Sequence, residues 1–452
     1  MTSSSLYAGV ARSDITPPPD CMLAGFAGRE HGATGIHDHL TATALALSTG
    51  GTPVVILALD LIGISRSHML FLHDHIRERH GLSPDRLLVN CSHTHAGPMI
   101  ELHRYNLALT DGTPLEGDPA YLDTLKHTCA EVISEALESL APANARWGLG
   151  ETHIGISRRA PDTAVYTGPP SGHLGFYANY PNPGMTIDRS CPVLLISDMN
   201  DAPYALLFSA PCHPTTMSYD NYLVSAEYPG VTRRILEEAM DGTPSLFIQG
   251  IGGDVKPRIV AEETSFRSGT YDDVEAVGTE LAEDVLSIMA TGLENLDISL
   301  KTALENVPVP VKDGWGKEKL NELIDQSQPD YRRTWAQWWL DSIKRGNIPP
   351  KSIPIVLSIM EIAPDIRFAG VSGELLTGMG FKVREQIGNG LTFPLGYTNG
   401  TVAYIPDSGV IREGGYEAVE SIFFHHDLPA PWRDDIDSVF YSAFDRLMEN
   451  RS

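Results

Sequence analysis

Two histidines one residue apart, His93 and His95, follow the apolar run Leu87-Leu88-Val89-Asn90-Cys91. Side chains alternate along a strand, so residues two apart share a face. A strand ending here would aim both imidazoles at one point, just before the turn Ala96-Gly97-Pro98. Neutral imidazoles on one face suit a divalent metal, Zn²⁺ above all. The pair alone leaves a structural use equally open. A second segment, Ala210-Pro211-Cys212-His213-Pro214-Thr215-Thr216-Met217, repeats the layout of an apolar strand running into a turn that carries a histidine. Read by itself, His213 is a core or loop residue. Glu374, in Gly370-Val371-Ser372-Gly373-Glu374-Leu375-Leu376-Thr377, lies between a strand-like and a helix-like stretch. An acid there would complement a helix dipole. Tyr404 and Tyr416 sit in Gly396 to Pro406 and in Gly415-Tyr416-Glu417-Ala418, and each alone reads as packing.

The elements that must position these residues alternate between strand and helix. Apolar, β-branched runs predict strands at Val54–Leu61, Arg86–Ser92, Ala145–Ile156, Cys191–Ser197, Tyr204–Ala210, Ser245–Gln249, Ile353–Ile362 and Ile366–Val371. Helical periodicity and stop signals predict helices at Ser67–Arg79, Tyr121–Leu140, Tyr228–Met240, Tyr271–Ala290, Glu374–Ile387 and Asp434–Glu449. No repeat and no Pro/Gly/Ser-rich linker divides the chain. The reading is α/β, with mixed β-sheets flanked by helices in one domain over residues 1–452. A polar helical insertion at 313–352 carries Trp315, Trp335, Trp338 and Trp339. Those rings are expected to pack the helical pair, the alternative being stacking on a sugar or capping a pocket.

Composition narrows the function. With 42 % hydrophobic and 20 % charged residues the chain is an ordinary globular one. A formal charge of −25 excludes nucleic acid and disfavours anionic membranes. The longest apolar stretch, Pro53–Ile64, contains Asp60 and is too short to span a bilayer. Met1–Tyr7 lacks the pattern of a secretory signal. Five scattered cysteines read as reduced thiols. The expectation is a cytoplasmic protein that takes a small-molecule substrate and has no stable membrane association, with a homo-oligomer open.

Among zinc enzymes with two histidines so spaced, a metallo-β-lactamase would continue with Asp-His, where this chain has Gly97-Pro98. An amidohydrolase barrel would place the pair after its first strand and an Asp late in the chain. Here about two strands come first, and the late acid is Glu374. The four segments in this order resemble the neutral/alkaline ceramidase family instead. So do Gly9-Val10-Ala11-Arg12-Ser13-Asp14-Ile15-Thr16-Pro17, Gly35-Ile36-His37-Asp38-His39-Leu40 and Ala58-Leu59-Asp60. The resemblance runs from about Ala8 to Glu420 and covers that family's catalytic domain.

It implies a zinc site of His93, His213 and Glu374, with Tyr404 as an additional weaker ligand. It implies catalytic roles at the substrate site for His95, Arg158 (in Gly155-Ile156-Ser157-Arg158-Arg159-Ala160-Pro161) and Tyr416, as donors to a developing oxyanion, with His95 also handling the proton for the leaving group. Zinc would activate a water for hydrolysis of an amide, or of a lactone or other ester. Where the family carries Ser in a Gly-Asp-x-Ser loop, this chain has Lys256, in Gly252-Gly253-Asp254-Val255-Lys256-Pro257. Asp254 and Lys256 are therefore read as substrate-binding, with Lys256 in the pocket favouring a substrate smaller and more polar than ceramide, or anionic. The C-terminal immunoglobulin-like domain of that family is expected to be missing. The alternative is a zinc-dependent lyase or carbohydrate-active enzyme on the same scaffold.

Overall fold

Val54–Leu59 and Leu87–Cys91 are buried along their whole length, as strands covered on both faces must be. They pair in parallel at one end of a nine-stranded mixed sheet. From the other end the order is Ser245–Gln249, Pro203–Ala210, Ser190–Ser197, Ala141–Glu151, Leu6–Asp14, Thr41–Ser48, Val54–Leu59 and Leu87–Cys91, with Glu294–Asn295 beside Ala141–Glu151. A second sheet of four strands runs Lys301–Pro310, Ser352–Ala363, Ile366–Val371 and Leu391–Leu395. The computed structural model describes residues 6–101, 116–161, 177–313, 315–326, 330–424 and 426–452. Met1–Ser5, at the start of the segment read for a secretory signal, lie outside them.

The helices are α1 (Arg66–His80), α2 (Pro119–Glu138), α3 (Glu227–Ala239), α4 (Tyr271–Ala290), α5 (Lys317–Gln326), α6 (Asp330–Lys344), α7 (Thr377–Ile387), α8 (Ser408–Glu413) and α9 (Ile436–Asn450). The period-2 alternation of the strands sorts them into layers. Ala44, Ala46, Leu57 and Val89 face α1 and α2. Their neighbours Leu45, Leu47, Ile56 and Leu88 face Met360, Phe368 and Phe393 of the second sheet. Leu357, Ile359 and Val371 then turn from the second sheet towards Trp335, Met379, Phe440 and Phe444. Helices α3 and α4 cover Phe208 and Phe247 near the other end of the large sheet. Two sheets stacked face to face between helical layers result, the mixed α/β architecture read from the pattern.

The site lies where parallel strands end. Leu87–Cys91, Pro203–Ala210, Ser245–Gln249, Ile366–Val371 and Leu391–Leu395 each have a parallel neighbour. Asn90 ties these ends together. Its Oδ1 accepts from Gln249 N at 2.7 Å. Its Nδ2 donates to Gln249 O, Gly396 O and Thr398 Oγ1 at 3.3, 3.0 and 3.0 Å. One buried amide thus joins both edges of the large sheet to the second sheet.

Three expectations change. The single strand read over Ala145–Ile156 is two, Ala141–Glu151 and Gly155–Pro161. The second joins Val255–Pro257 and Tyr177–Asn182 in a separate small sheet. The chain must cross tightly there, since a Cβ on Gly155 would meet Val255 Cγ1 at 2.6 Å. Helix α7 begins at Thr377 rather than Glu374, because Glu374–Leu375 pairs in parallel with Tyr404–Ile405. And the strand before His93 stops at Cys91. The tryptophans of α6 pack inward as expected: Trp335 and Trp339 are buried, and Trp335 meets Phe423 edge-on at 5.1 Å.

Candidate metal centre and its cavity

His93 leaves the strand with φ +66°, in the left-handed region. Its N–H donates to Leu61 O and its Nδ1 lies 2.5 Å from Ile62 O. A carbonyl only accepts, so Nδ1 carries the proton and Nε2 the lone pair. The same logic holds for His213, whose Nδ1 lies 2.5 Å from Gly252 O. Both Nε2 atoms point at one carboxylate oxygen: each is 3.2 Å from Glu374 Oε2. His95 Nε2 lies 3.2 Å from His93 Nε2. The imidazoles of His93, His95 and His213 thus offer nitrogens within 4.8 Å of one another. The paired histidines do converge, but through a turn with a left-handed residue and not by strand alternation.

This donor set fits a metal ion. Burial pushes His213 down to about 4 and His95 well below the usual imidazole range, so both are neutral near pH 7. Burial opposes the Glu374 charge, and with both facing Nε2 atoms unprotonated it is a cation between them that would keep the carboxylate ionised. His213 Nε2 is buried without a hydrogen bond. An orphaned lone pair facing a carboxylate is costly unless a cation lies between them. Carbonyl acceptors behind both Nδ1 atoms are the outer partners that orient metal-binding imidazoles.

Four residues complete the surroundings. Tyr404 is placed beside Glu374 by the parallel pairing of the two short strands. Tyr416 meets the Tyr404 ring edge-on at 5.6 Å. Burial raises both phenols, so they are neutral O–H donors. Arg158 stands behind this pair, its guanidinium 5.4 Å and 5.6 Å from the two ring centroids. It donates to Glu417 Oε1 at 3.0 Å and Gly253 O at 2.8 Å. Burial works against its charge, yet the buried Glu417 carboxylate beside it holds the guanidinium protonated.

A cavity of about 220 Å³ opens over the cluster. His93, His95, Glu374, Tyr404 and Tyr416 form its polar side; Phe26, Ile62, Met99, Ile100, Val402 and Phe424 form its apolar side. His213, Arg158, Asp254 and Lys256 are not among the described residues that line it. Asp254 Oδ1 accepts from Thr377 N and Oγ1 at 2.9 and 2.7 Å, anchoring α7. Lys256 Nζ lies 4.8 Å from the Phe266 ring centroid. The structure thus gives Asp254 an anchoring contact and Lys256 an aromatic one, and neither is among the described residues that border this cavity.

Four residues escaped the sequence reading. Tyr397 is wholly buried against His93 and Glu374. Gly25 and Phe26 press on His95, the Phe26 ring at 4.7 Å. Arg29, buried, donates to Ala24 O, His95 O and Asn221 O at 2.5, 2.8 and 3.1 Å, gathering three loops. The one available signal was the glycine-bounded Gly25-Phe26-Ala27-Gly28.

The family model described as neutral/alkaline non-lysosomal ceramidase, N-terminal, matches residues 6–276. The chain belongs to this family. Neutral ceramidase B of Dictyostelium discoideum is 27 % identical over 267 residues, covering 56 % of this chain and 36 % of that protein. Neutral ceramidase 2 of Arabidopsis thaliana is 26 % identical over 245 residues, 53 % of this chain and 31 % of that one. This ceramidase-family chain spans about a third of the length of the curated relatives it matches. The neutral ceramidase structure from Pseudomonas aeruginosa superposes with a TM-score of 0.72 at 15 % identity, over 98 % of this chain and 74 % of that one. That likeness is one of fold, and it extends past the segment the family model covers.

Proposed function

We propose that the chain is a zinc-dependent hydrolase that cleaves the amide bond of a compact substrate bearing an apolar acyl arm. The observation that carries this is the convergence of the His93 and His213 Nε2 atoms on Glu374 Oε2, at the base of a mostly apolar cavity. His93, His213 and Glu374 would hold the metal, with Tyr404 alongside. When bound, zinc supplies a water of lowered pKa and a Lewis acid for the carbonyl.

The chain's own residues do the rest. The apolar wall from Phe26 to Phe424 takes the acyl arm, since burial favours each methylene by about 0.8 kcal/mol. Tyr416, neutral and on the cavity wall, donates a hydrogen bond to the oxygen that gains charge. His95 faces the cavity and carries the proton to the departing nitrogen. Arg158 keeps Tyr404 and Tyr416 in place from behind.

A volume of about 220 Å³ is below the roughly 300–1,000 Å³ common for small-molecule sites, which favours a substrate smaller than ceramide. The polar or anionic preference tied to Lys256 has no support in the cavity wall. The test is metal analysis followed by turnover of N-acyl amides of graded length in ¹⁸O-water. Zinc near one per chain, chelator-sensitive cleavage and label in the carboxylate product are expected. Cleavage that survives complete metal removal, or an unsaturated product without label, overturns the reading.

A further inference from the structure

The turn Glu420–Phe424 gives the cavity one wall, through Ser421 and Phe424. Helix α6 grips that turn from the other side. The Tyr331 ring stacks on Phe424, centroids 4.5 Å apart and planes at 26°. One residue on, Arg332 Nη2 donates to Glu420 Oε2 at 2.8 Å, and both groups are buried. Phe424 in turn lies 6.3 Å from Tyr416. A buried ion pair holds one geometry, because losing either partner strands a charge. A stacked ring adds contact that resists rotation of its neighbour.

We propose that Tyr331 is a specificity-determining residue: by backing Phe424 it sets how long an apolar arm the cavity admits. The inference rests on the reading that this cavity takes the acyl arm. Tyr331 does not line the cavity; it is a positioning residue acting through Phe424. Without its ring, Phe424 gains room to turn towards α6 and the cavity lengthens. Arms that ended against Phe424 lose contact, and longer ones find space. The metal centre is untouched, since neither ring belongs to it.

The test measures binding, so it does not depend on turnover. Straight-chain hydroxamic acids, from acetohydroxamic to dodecanohydroxamic acid, chelate a bound metal whatever reaction the enzyme performs. Their affinities for the zinc-loaded protein are measured by calorimetry. In the wild type each methylene should tighten binding roughly two- to fourfold until the arm reaches Phe424, after which affinity levels off. In Tyr331→Ala and Tyr331→Leu that plateau should move to longer chains by about two methylenes or more, at unchanged zinc content. Tyr331→Phe, which keeps the ring, should match the wild type. Folding is checked by thermal melting, and Tyr331→Leu serves if the alanine variant is unstable. A uniform change across the series, an unmoved plateau, or a wild type blind to chain length overturns the proposal. A moved plateau in a protein that cleaves no amide overturns the proposed reaction and leaves this inference standing.

Discussion

The Tyr397 ring lies over the His93 imidazole, centroids 4.1 Å apart and planes at 29°, while its hydroxyl reaches Glu374 Oε2 at 3.5 Å. One buried side chain thus braces two of the residues that would hold the metal. Its backbone is unusual too, with φ +54°, which a bulky residue adopts only where its surroundings demand it.

Tyr397→Phe keeps the stack and loses only the long hydroxyl contact, so zinc affinity should fall a few-fold at most. Tyr397→Ala removes the brace and leaves a cavity. It should cost about 3–5 kcal/mol of stability and about 10–100-fold in zinc affinity. Chelator competition and denaturant melts measure both. An alanine variant with wild-type zinc affinity would show that the stack is packing and no more.

His95 separates a ligand from a proton carrier. Its Nε2 is close enough to His93 Nε2 for either role, at 3.2 Å. His213 and Glu374 meet directly, whereas His95 borders the cavity and stands half-buried beside Phe26. Glu374→Ala and His213→Ala should therefore lose zinc, whereas His95→Ala should retain it and lose about 10²–10⁴ in turnover. Zinc loss in His95→Ala equal to that in His93→Ala would make His95 a ligand.

Gly25 should tolerate no side chain. Its φ is +93°, and a Cβ would sit 2.4 Å from His95 Cγ and Nδ1. Gly25→Ala must displace the imidazole, and a misplacement of about 1 Å costs on the order of 10²-fold in rate. Gly50→Ala is the control: φ is +86° there, but nothing lies within 4 Å of the added Cβ. It should carry the backbone strain and keep full turnover. Equal loss in both variants would trace the effect to stability.

What the sequence made legible was local chemistry and the succession of strands and helices along the chain. Apolar runs marked the buried strands, and the segments around His93, His213, Glu374 and Tyr404, each weak alone, were singled out as a set by their resemblance to the ceramidase family. What it hid depended on contacts distant along the chain. Asn90 joins Gln249 and Gly396, residues more than 150 positions away, and nothing in its own neighbourhood announces that. Tyr397 drew no notice of its own, because what matters is that it packs against a candidate ligand distant along the chain. Lys256 is the converse case. A charge in a loop near candidate ligands suggested the pocket, whereas strand Val255–Pro257 pairs with Gly155–Pro161 and carries the side chain to Phe266.

Lys256 yields a prediction with a definite sign. Burial lowers its ammonium from 10.5 to about 8, and Arg158 pushes the same way against Glu227 and Cys212. The folded state thus disfavours the charged form. Below about pH 8 both states are protonated and the fold bears the whole cost, on the order of 3 kcal/mol for a shift of this size. Between about 8 and 10.5 the folded lysine releases its proton while the unfolded one keeps it. The unfolded chain then binds more protons, so this group makes stability rise with pH across that window. Above 10.5 both are neutral and the cost is gone. Lys256→Met keeps the apolar stem and removes the charge. It should be more stable than the wild type at pH 7, by a margin that closes towards pH 10.5, and its turnover of N-acyl amides should stay within about twofold. Denaturant melts of both proteins across this range give the margin directly. A margin that does not change with pH, or a tenfold loss of turnover, would return Lys256 to the substrate.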